Sequence, residues 1–161
     1  METRILLANS LKIVSGGQTG ADRAALDWAI AHQVSHGGWC PKGRKAEDGI
    51  LDARYNLTET PSSEYSERTE WNVRDSDGTV IFSIDKEIFE GTLLTVELAK
   101  KYEKPCIHIC RNLTDINPVS QFQLFLSKFG IVNLNIAGTR ASGEPEVYQF
   151  VREILDRAFL P

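Results

Sequence analysis

The run Lys12-Ile-Val-Ser-Gly-Gly-Gln-Thr-Gly-Ala-Asp22 joins a short apolar segment to a helical one through a turn that holds Gly16, Gly17 and Gly20. Residues of these types suit anion binding. Glycine permits positive φ and lets a ligand come close to the backbone, so Gly16, Gly17, Gln18, Thr19 and Gly20 are placed to hold a phosphate or another oxyanion. Thr19 and Asp22 have the spacing of a helix-capping pair. The segment from Ala21 to Gln33 is apolar on most sides and reads as a buried helix whose positive dipole end faces the turn. The same residues also suit a plain tight turn with Asp22 as a cap, so the anion function depends on other segments converging there.

Several segments qualify. In Glu90-Gly-Thr-Leu-Leu-Thr-Val-Glu97, Gly91 and Thr92 open a helix, and Gly138-Thr-Arg-Ala-Ser-Gly143 leads into the last helix. Each can hydrogen-bond an anion through N–H groups and hydroxyls. Tyr65, Arg68, Asn72 and Asp75 share one helical stripe with Trp71 alongside. An Arg and an Asn beside an indole can clamp a phosphate and stack a flat ring, or form a solvated face with Arg68 paired to Glu64 or Asp75. Lys42, Arg44 and Lys45 lie in a polar loop that either steers an anion or forms a surface lid. Asp22 and Glu97 are the carboxylates next to the first two glycine loops. They suit either general acid and base chemistry on a glycosidic bond or, as favoured here, a cap and an ordinary helix residue. The chain has no GxGxxG, no Walker lysine after the glycine turn and no nucleophile elbow, and His32 and His36 have no evident partner.

The elements that must position these residues alternate along the chain. Strands are expected near Lys12 to Ser15, Val34 to Trp39, Thr79 to Ser83, Pro105 to Cys110 and Ile131 to Ile136. Helices are expected over Ala21 to Gln33, Ser63 to Asp75, Thr92 to Glu103, from Asn117 onward with Pro118 in its first turn, and Pro145 to Leu160. This pattern predicts an α/β, three-layer Rossmann-like domain with a mainly parallel sheet of about five strands and helices on both faces. Asn133 and Asn135 alternate with apolar residues, as expected for a strand exposed on one side near the sheet edge. In a parallel sheet every strand-to-helix loop leaves from the carboxyl edge. If the first and second glycine loops share a ligand, the order 2-1-3-4-5 is favoured. The long polar segment from Pro41 to Pro61 is of a length that usually serves a site.

Composition sets further bounds. A chain of 161 residues with 42% hydrophobic content fits one domain over 1–161. A net charge of −4 and a pI near 5.4 argue against a general nucleic-acid binder. The apolar stretch Ile5-Leu-Leu-Ala8 is too short for a signal-peptide core, and no run reaches the length of a membrane span, so a cytoplasmic protein is expected. Cys40, Cys106 and Cys110 show no CxxC spacing. In an extended strand Cys106 and Cys110 lie roughly 13 Å apart, too far to share a metal, so all three read as reduced packing residues and no tightly bound structural metal is expected.

Taken together, Ser15-Gly-Gly-Gln-Thr-Gly-Ala-Asp22, Gly38-Trp-Cys-Pro-Lys-Gly43, Arg68-Thr-Glu-Trp-Asn-Val-Arg-Asp-Ser-Asp-Gly-Thr79 and Leu134-Asn-Ile-Ala-Gly138 resemble, over nearly the whole chain, the family of putative molybdenum cofactor carriers. That family is similar to a broader Rossmann-like group that includes lysine-decarboxylase-like phosphoribohydrolases and a DNA-processing domain with a related Ser-Gly-Gly turn. The resemblance implies a carrier that binds molybdopterin, a planar pterin with a terminal phosphate, or else a nucleoside monophosphate phosphoribohydrolase or a nucleotide-sensing module. Phosphoribohydrolases usually show a double-glycine and threonine turn, and here Glu90 stands at its first glycine. On the carrier function, Gly16, Gly17, Gln18, Thr19, Gly20, Asp22, Arg68, Asn72, Gly91 and Thr92 bind the ligand, and Trp71 or Trp39 packs on the pterin. The expected partners are a small phosphorylated ligand and further copies of the chain, as a homodimer or larger homo-oligomer.

Overall fold

The computed structural model describes residues 10–87, 90–113 and 115–161, without the side chain of Glu90; Ile5 to Ala8 lie outside the described residues. In chain order the elements are β1 (Lys12–Val14), α1 (Ala21–Ala31), β2 (Ser35–Gly37), β3 (Trp39–Cys40), β4 (Lys45–Ala46), β5 (Gly49–Ile50), β6 (Thr58–Glu59) and α2 (Tyr65–Arg74). They continue with β7 (Gly78–Ser83), α3 (Glu90–Lys101), β8 (Cys106–Cys110), α4 (Pro118–Phe129), β9 (Asn133–Gly138) and α5 (Val147–Phe159).

Local chemistry explains where these elements fall. All six residues of β7 are buried, as expected for a strand covered on both faces, where a continuous apolar run replaces alternation. The Asn117 side chain accepts hydrogen bonds from the Val119 and Ser120 N–H groups at 3.0 and 3.1 Å, Pro118 follows it, and Gly130 ends α4 at φ 58. In α5 the buried stripe is Val147, Phe150, Val151, Ile154, Leu155 and Ala158, at helical spacing.

Five of these strands form one all-parallel sheet in the order β2-β1-β9-β7-β8. Counting only these five in chain order, the sheet runs 2-1-5-3-4, not the expected 2-1-3-4-5. The last strand is inserted between the first and the third, and it is central rather than near the edge. Asn135 is the reason the strand looked edge-like. It is buried, and its side-chain amide donates to the Thr79 hydroxyl at 3.1 Å, so a polar group is satisfied inside the sheet. At the strand's start, the Asp77 carboxylate accepts the Val132 and Asn133 N–H groups at 3.1 and 2.7 Å.

If β9 and α5 preceded β1, the same sheet would read 3-2-1-4-5, the order of dinucleotide-binding domains. The helices fit that frame. α1, α4 and α5 pack on one face around Trp28, Phe82, Phe122, Leu134 and Phe150, while α2 and α3 cover the other through Val73, Leu98 and Ala99. Right-handed crossovers running in opposite directions from the centre place the helices on opposite faces.

The polar segment after β2 is more ordered than its composition suggests. β3 pairs with β6, β4 with β5 form a hairpin, and Cys40, Leu51, Tyr55 and Leu57 pack together on Leu26 of α1. Arg44 is a structural tie rather than a steering cation, because its guanidinium donates to the carbonyl oxygens of Leu51, Asp52, Tyr55 and Leu57 at 2.8–3.4 Å. Cys40, Cys106 and Cys110 are free thiols. Among the described residues no helix is long and apolar enough to cross a membrane.

Two glycines test this packing. Gly20 has φ +83, and a Cβ there would run into the Thr139 carbonyl oxygen, whereas Gly91 has open space around its Cβ position among the described residues. Gly20→Ala is expected to lower the unfolding free energy by about 2–3 kcal/mol in urea denaturation. Gly91→Ala should change it by no more than about 1 kcal/mol, in the stabilising direction.

Candidate functional site

The glycine turn after β1 commits part of its hydrogen-bonding capacity to the fold. The Gln18 N–H donates to Asp22 Oδ2 at 3.2 Å, the Ala21 N–H to the Thr139 carbonyl at 3.1 Å, and the Arg23 N–H to the Gln18 carbonyl at 3.0 Å. Gly17, at φ +78, lies beneath Leu51 and Leu57. The expected capping pair is not formed. Gly20 is the N-cap of α1 with no side-chain cap, and Thr19 instead donates to Glu47 and accepts from the Ala141 N–H at 3.2 Å. The third glycine loop, running on from β9, reaches Thr19 because β9 lies beside β1.

Against this turn lies a cavity of about 340 Å³, within the range of small-ligand sites. Its wall is built from the β1 turn, α2, the first turns of α3, and the end of β9 with its following loop. Of the residues singled out from sequence, Gly16, Gln18, Asp22, Arg68, Asn72, Gly91 and Thr92 line it, and Gly17, Thr19 and Gly20 do not. Glu97 is exposed on α3 and is absent from the wall. Asp22 is the one acidic side chain among the described residues that line it.

Arg68 is the electrostatic centre. It is largely buried, its side chain 12% exposed, with Nη1 3.3 Å from Asp22 Oδ2, so its partner is neither Glu64 nor Asp75. Gly16 makes the approach possible, since a Cβ there would collide with the Arg68 guanidinium. Burial pushes the Asp22 carboxyl up, against the pull of Arg68, and burial likewise draws the Arg68 guanidinium down while Asp22 opposes it. Two buried side-chain atoms of the wall residues, Arg68 Nε and Gln18 Oε1, have no hydrogen-bond partner among the described residues. Unpaired buried polar atoms are uncommon and concentrate where a ligand or ion completes the set.

Asn72 lines the cavity, but its amide is committed to the backbone of Trp39, accepting from the N–H at 2.8 Å and donating to the carbonyl at 2.9 Å. Trp39 and Trp71 pack edge to face with centroids 4.7 Å apart, and Trp39 Nε1 donates to Asp75 at 2.9 Å. Neither indole lines the cavity. Its aromatic side chain is Tyr65, whose ring lies 4.4 Å from Arg140 Cζ and 4.7 Å from Lys45 Nζ.

Thr95, Asn135, Thr139, Arg140 and Ser142 add to the polar wall and were not among the proposed ligand residues. The loop Gly138 to Gly143 carried an anion-binding signature in sequence. Its place beside the first turn follows only from the insertion of β9. Asn135, a polar residue in the interior of an apolar strand, was the other available signal.

The β4–β5 hairpin stands over this region. The Glu47 carboxylate accepts from the hydroxyls of Thr19 and Ser142, the latter at 2.7 Å, and from the Ser142 N–H at 3.3 Å. The Thr19 hydrogen bond first, and Ser142 next, hold the Glu47 carboxyl below its ordinary value of 4.5. Among the described residues no group of three His, Cys, Asp or Glu side chains could hold a metal ion.

A parallel sheet whose central strand brings two loops and the start of a helix to one cavity at the carboxyl edge defines a Rossmann-like domain with permuted strand order. The comparisons agree. The chain belongs to the circularly permutated YpsA SLOG family, cpYpsA, whose profile matches residues 13–159. It is similar to a protein from Syntrophus aciditrophicus SB described as a "putative molybdenum carrier protein". That crystal structure shares 47% identity and superposes with a TM-score of 0.85 over 95% of this chain and 97% of its own. An (E)-4-hydroxy-3-methyl-but-2-enyl diphosphate reductase aligns at a TM-score of 0.38 and 11% identity, over 97% of this chain and 63% of its own, too remote to bear on function. No curated protein matches the chain.

Two outcomes follow from the geometry. Asp22→Ala removes the partner of a buried guanidinium and is expected to cost about 3 kcal/mol in chemical denaturation. The depressed Glu47 carboxyl stabilises the fold above its unfolded value of 4.5, and that contribution is lost as pH falls through its lower folded value. The Ser142 amide resonance should therefore titrate with a midpoint below 4.5, and Glu47→Gln should abolish that titration.

Proposed function

We propose that this protein binds and carries a small phosphorylated ligand of the molybdenum cofactor class, a flat heterocycle ending in a phosphate, in the cavity at the carboxyl ends of β1 and β9. The observation that carries this is a buried guanidinium, Arg68, with an unpaired Nε, in the wall of a cavity of about 340 Å³. The 47% identical relative, described as a "putative molybdenum carrier protein", supports the ligand class.

The residues present fit such a ligand. Leu94, Ile136 and Ala137 offer apolar surface to a ring, Tyr65 an aromatic face, and Gln18, Thr95 and Asn135 polar atoms for ring heteroatoms. Arg68 and Arg140 supply positive charge to offset a phosphate, with Thr92 beside them. A metal would be held by the ligand's own atoms, with the protein gripping the organic part.

Carriage is favoured over hydrolysis by the carboxylate count. Cleavage of a glycosidic bond uses two carboxyl groups flanking the bond. Here Asp22 is the one acidic side chain among the described wall residues, and its Oδ2 is already engaged by Arg68 and the Gln18 N–H. With it we propose a single-domain cytoplasmic protein acting as a homodimer or larger homo-oligomer, with a small molecule as partner in place of a membrane or nucleic acid.

Native mass spectrometry of gently purified protein should release a pterin phosphate, with or without molybdenum. Arg140→Met, at a half-buried loop position, should lower its occupancy at least tenfold while leaving the unfolding midpoint in place. Release of a nucleotide, or uptake of nucleotides but not pterins, would overturn the ligand class.

A further inference from the structure

The tip of the β4–β5 hairpin is acidic. Lys45 pairs with Ile50 and Ala46 with Gly49, which leaves Glu47 and Asp48 as the two turn residues. They are docked in different ways. Asp48 makes a two-pronged ion pair with Arg23 at 3.0 and 3.1 Å, and Arg23 is further braced on the Gly17 carbonyl. Such paired, charge-assisted bonds hold geometry firmly. The hairpin is also fastened by the Gln18 amide donating to the Lys45 carbonyl at 3.1 Å and by Lys45 Nζ over the Tyr65 ring at 4.7 Å.

Glu47 has a different setting. It is exposed, and its carboxylate is met by two hydroxyls, Thr19 and Ser142, and the Ser142 N–H. Arg140, two residues from Ser142, adds its positive charge. Thr19 is the half-exposed residue of an otherwise buried stretch from Ile13 to Gly20. Arg140 and Ser142 belong to the cavity wall while Thr19 lies just outside it, so the oxyanion cradle adjoins the cavity. Hydroxyl and N–H donors that hold a carboxylate hold a phosphate equally well, and a phosphate brings more negative charge to the nearby Arg140.

We propose that Thr19, Ser142 and Arg140 form the phosphate subsite of the cavity, and that Glu47 is a built-in stand-in that occupies it until a ligand phosphate displaces it. The displacement needs only rotation of the Glu47 side chain, because Asp48, Gln18 and Lys45 keep the hairpin in place. This rests on the reading of the cavity as a site for a phosphorylated ligand, but it locates the phosphate away from the amides of the glycine turn and gives Glu47 a role as gate.

The test uses inorganic phosphate and the full chain. Backbone amide shifts are followed by NMR during phosphate titration, against chloride at equal ionic strength. Removing the competitor by Glu47→Ala is expected to tighten phosphate binding at least fivefold, with the largest shifts at Thr19, Ala141 and Ser142. Glu47→Gln, which keeps the size of the side chain, should give a gain of the same sign, so a hairpin loosened by the Ala variant does not mask the effect. Adding Ser142→Ala to Glu47→Ala should remove most of that gain. Phosphate affinity unchanged or weaker in both Glu47 variants, or shifts centred elsewhere, would overturn the proposal. Release of a pterin phosphate from the wild type with no Glu47 effect would sink the gate and leave the carrier function standing. A Glu47 effect without any pterin would keep the gate for another phosphorylated ligand.

Discussion

The site depends on the close seating of β9 between β1 and β7. Gly138, at φ +155, leaves no space for a Cβ against the Phe82 carbonyl, and Gly20 leaves none against Thr139. The Thr139 N–H donates to the Phe82 carbonyl at 3.2 Å, while its own carbonyl accepts the Ala21 N–H at 3.1 Å. One residue beyond β9 is thus bonded to the end of β7 on one side and to the start of α1 on the other. Any larger spacing would separate the loop Gly138 to Gly143 from the glycine turn and open the cavity wall.

That seating also redistributes polar groups. Within the glycine turn the Gln18 amide is drawn to Asp22, and the Ala21 amide that opens α1 is drawn to Thr139. Positive charge in the cavity wall comes from side chains, above all Arg68, which Gly16 admits next to Asp22. A buried guanidinium facing one carboxylate is expensive to desolvate and leaves donor capacity unused, as Arg68 Nε shows. Glu144 performs the complementary task. Its buried carboxylate accepts the Ile84 and Asp85 N–H groups and the Thr139 hydroxyl, pinning the end of β7 to the loop after β9.

The permuted order places the cavity where open α/β sheets bind ligands. Chains running outward from the centre in opposite directions leave a crevice at the carboxyl edge. Here β9 stands at that point with β1 and β2 on one side and β7 and β8 on the other. The family's description as circularly permutated accords with a sheet that regains the dinucleotide-binding order once β9 and α5 are moved to the front.

The sequence by itself determined the elements and their type, because periodicity, caps and turn residues act over a few positions. Asn117-Pro118 and Gly130 bracket α4, the Thr79 to Ser83 run marks a strand buried on both faces, and the stripe Tyr65, Arg68, Asn72 foretells one wall of the cavity. Only the tertiary structure decided the position of β9, since strand neighbours are chosen by contacts far apart in the chain and Asn135 could be satisfied either by water or by Thr79. It also decided that Arg68 pairs with Asp22, 46 residues away, and that Glu47 meets Ser142 across 95 residues. Those pairings arise from where loops land once the sheet is assembled, and no local spacing encodes them.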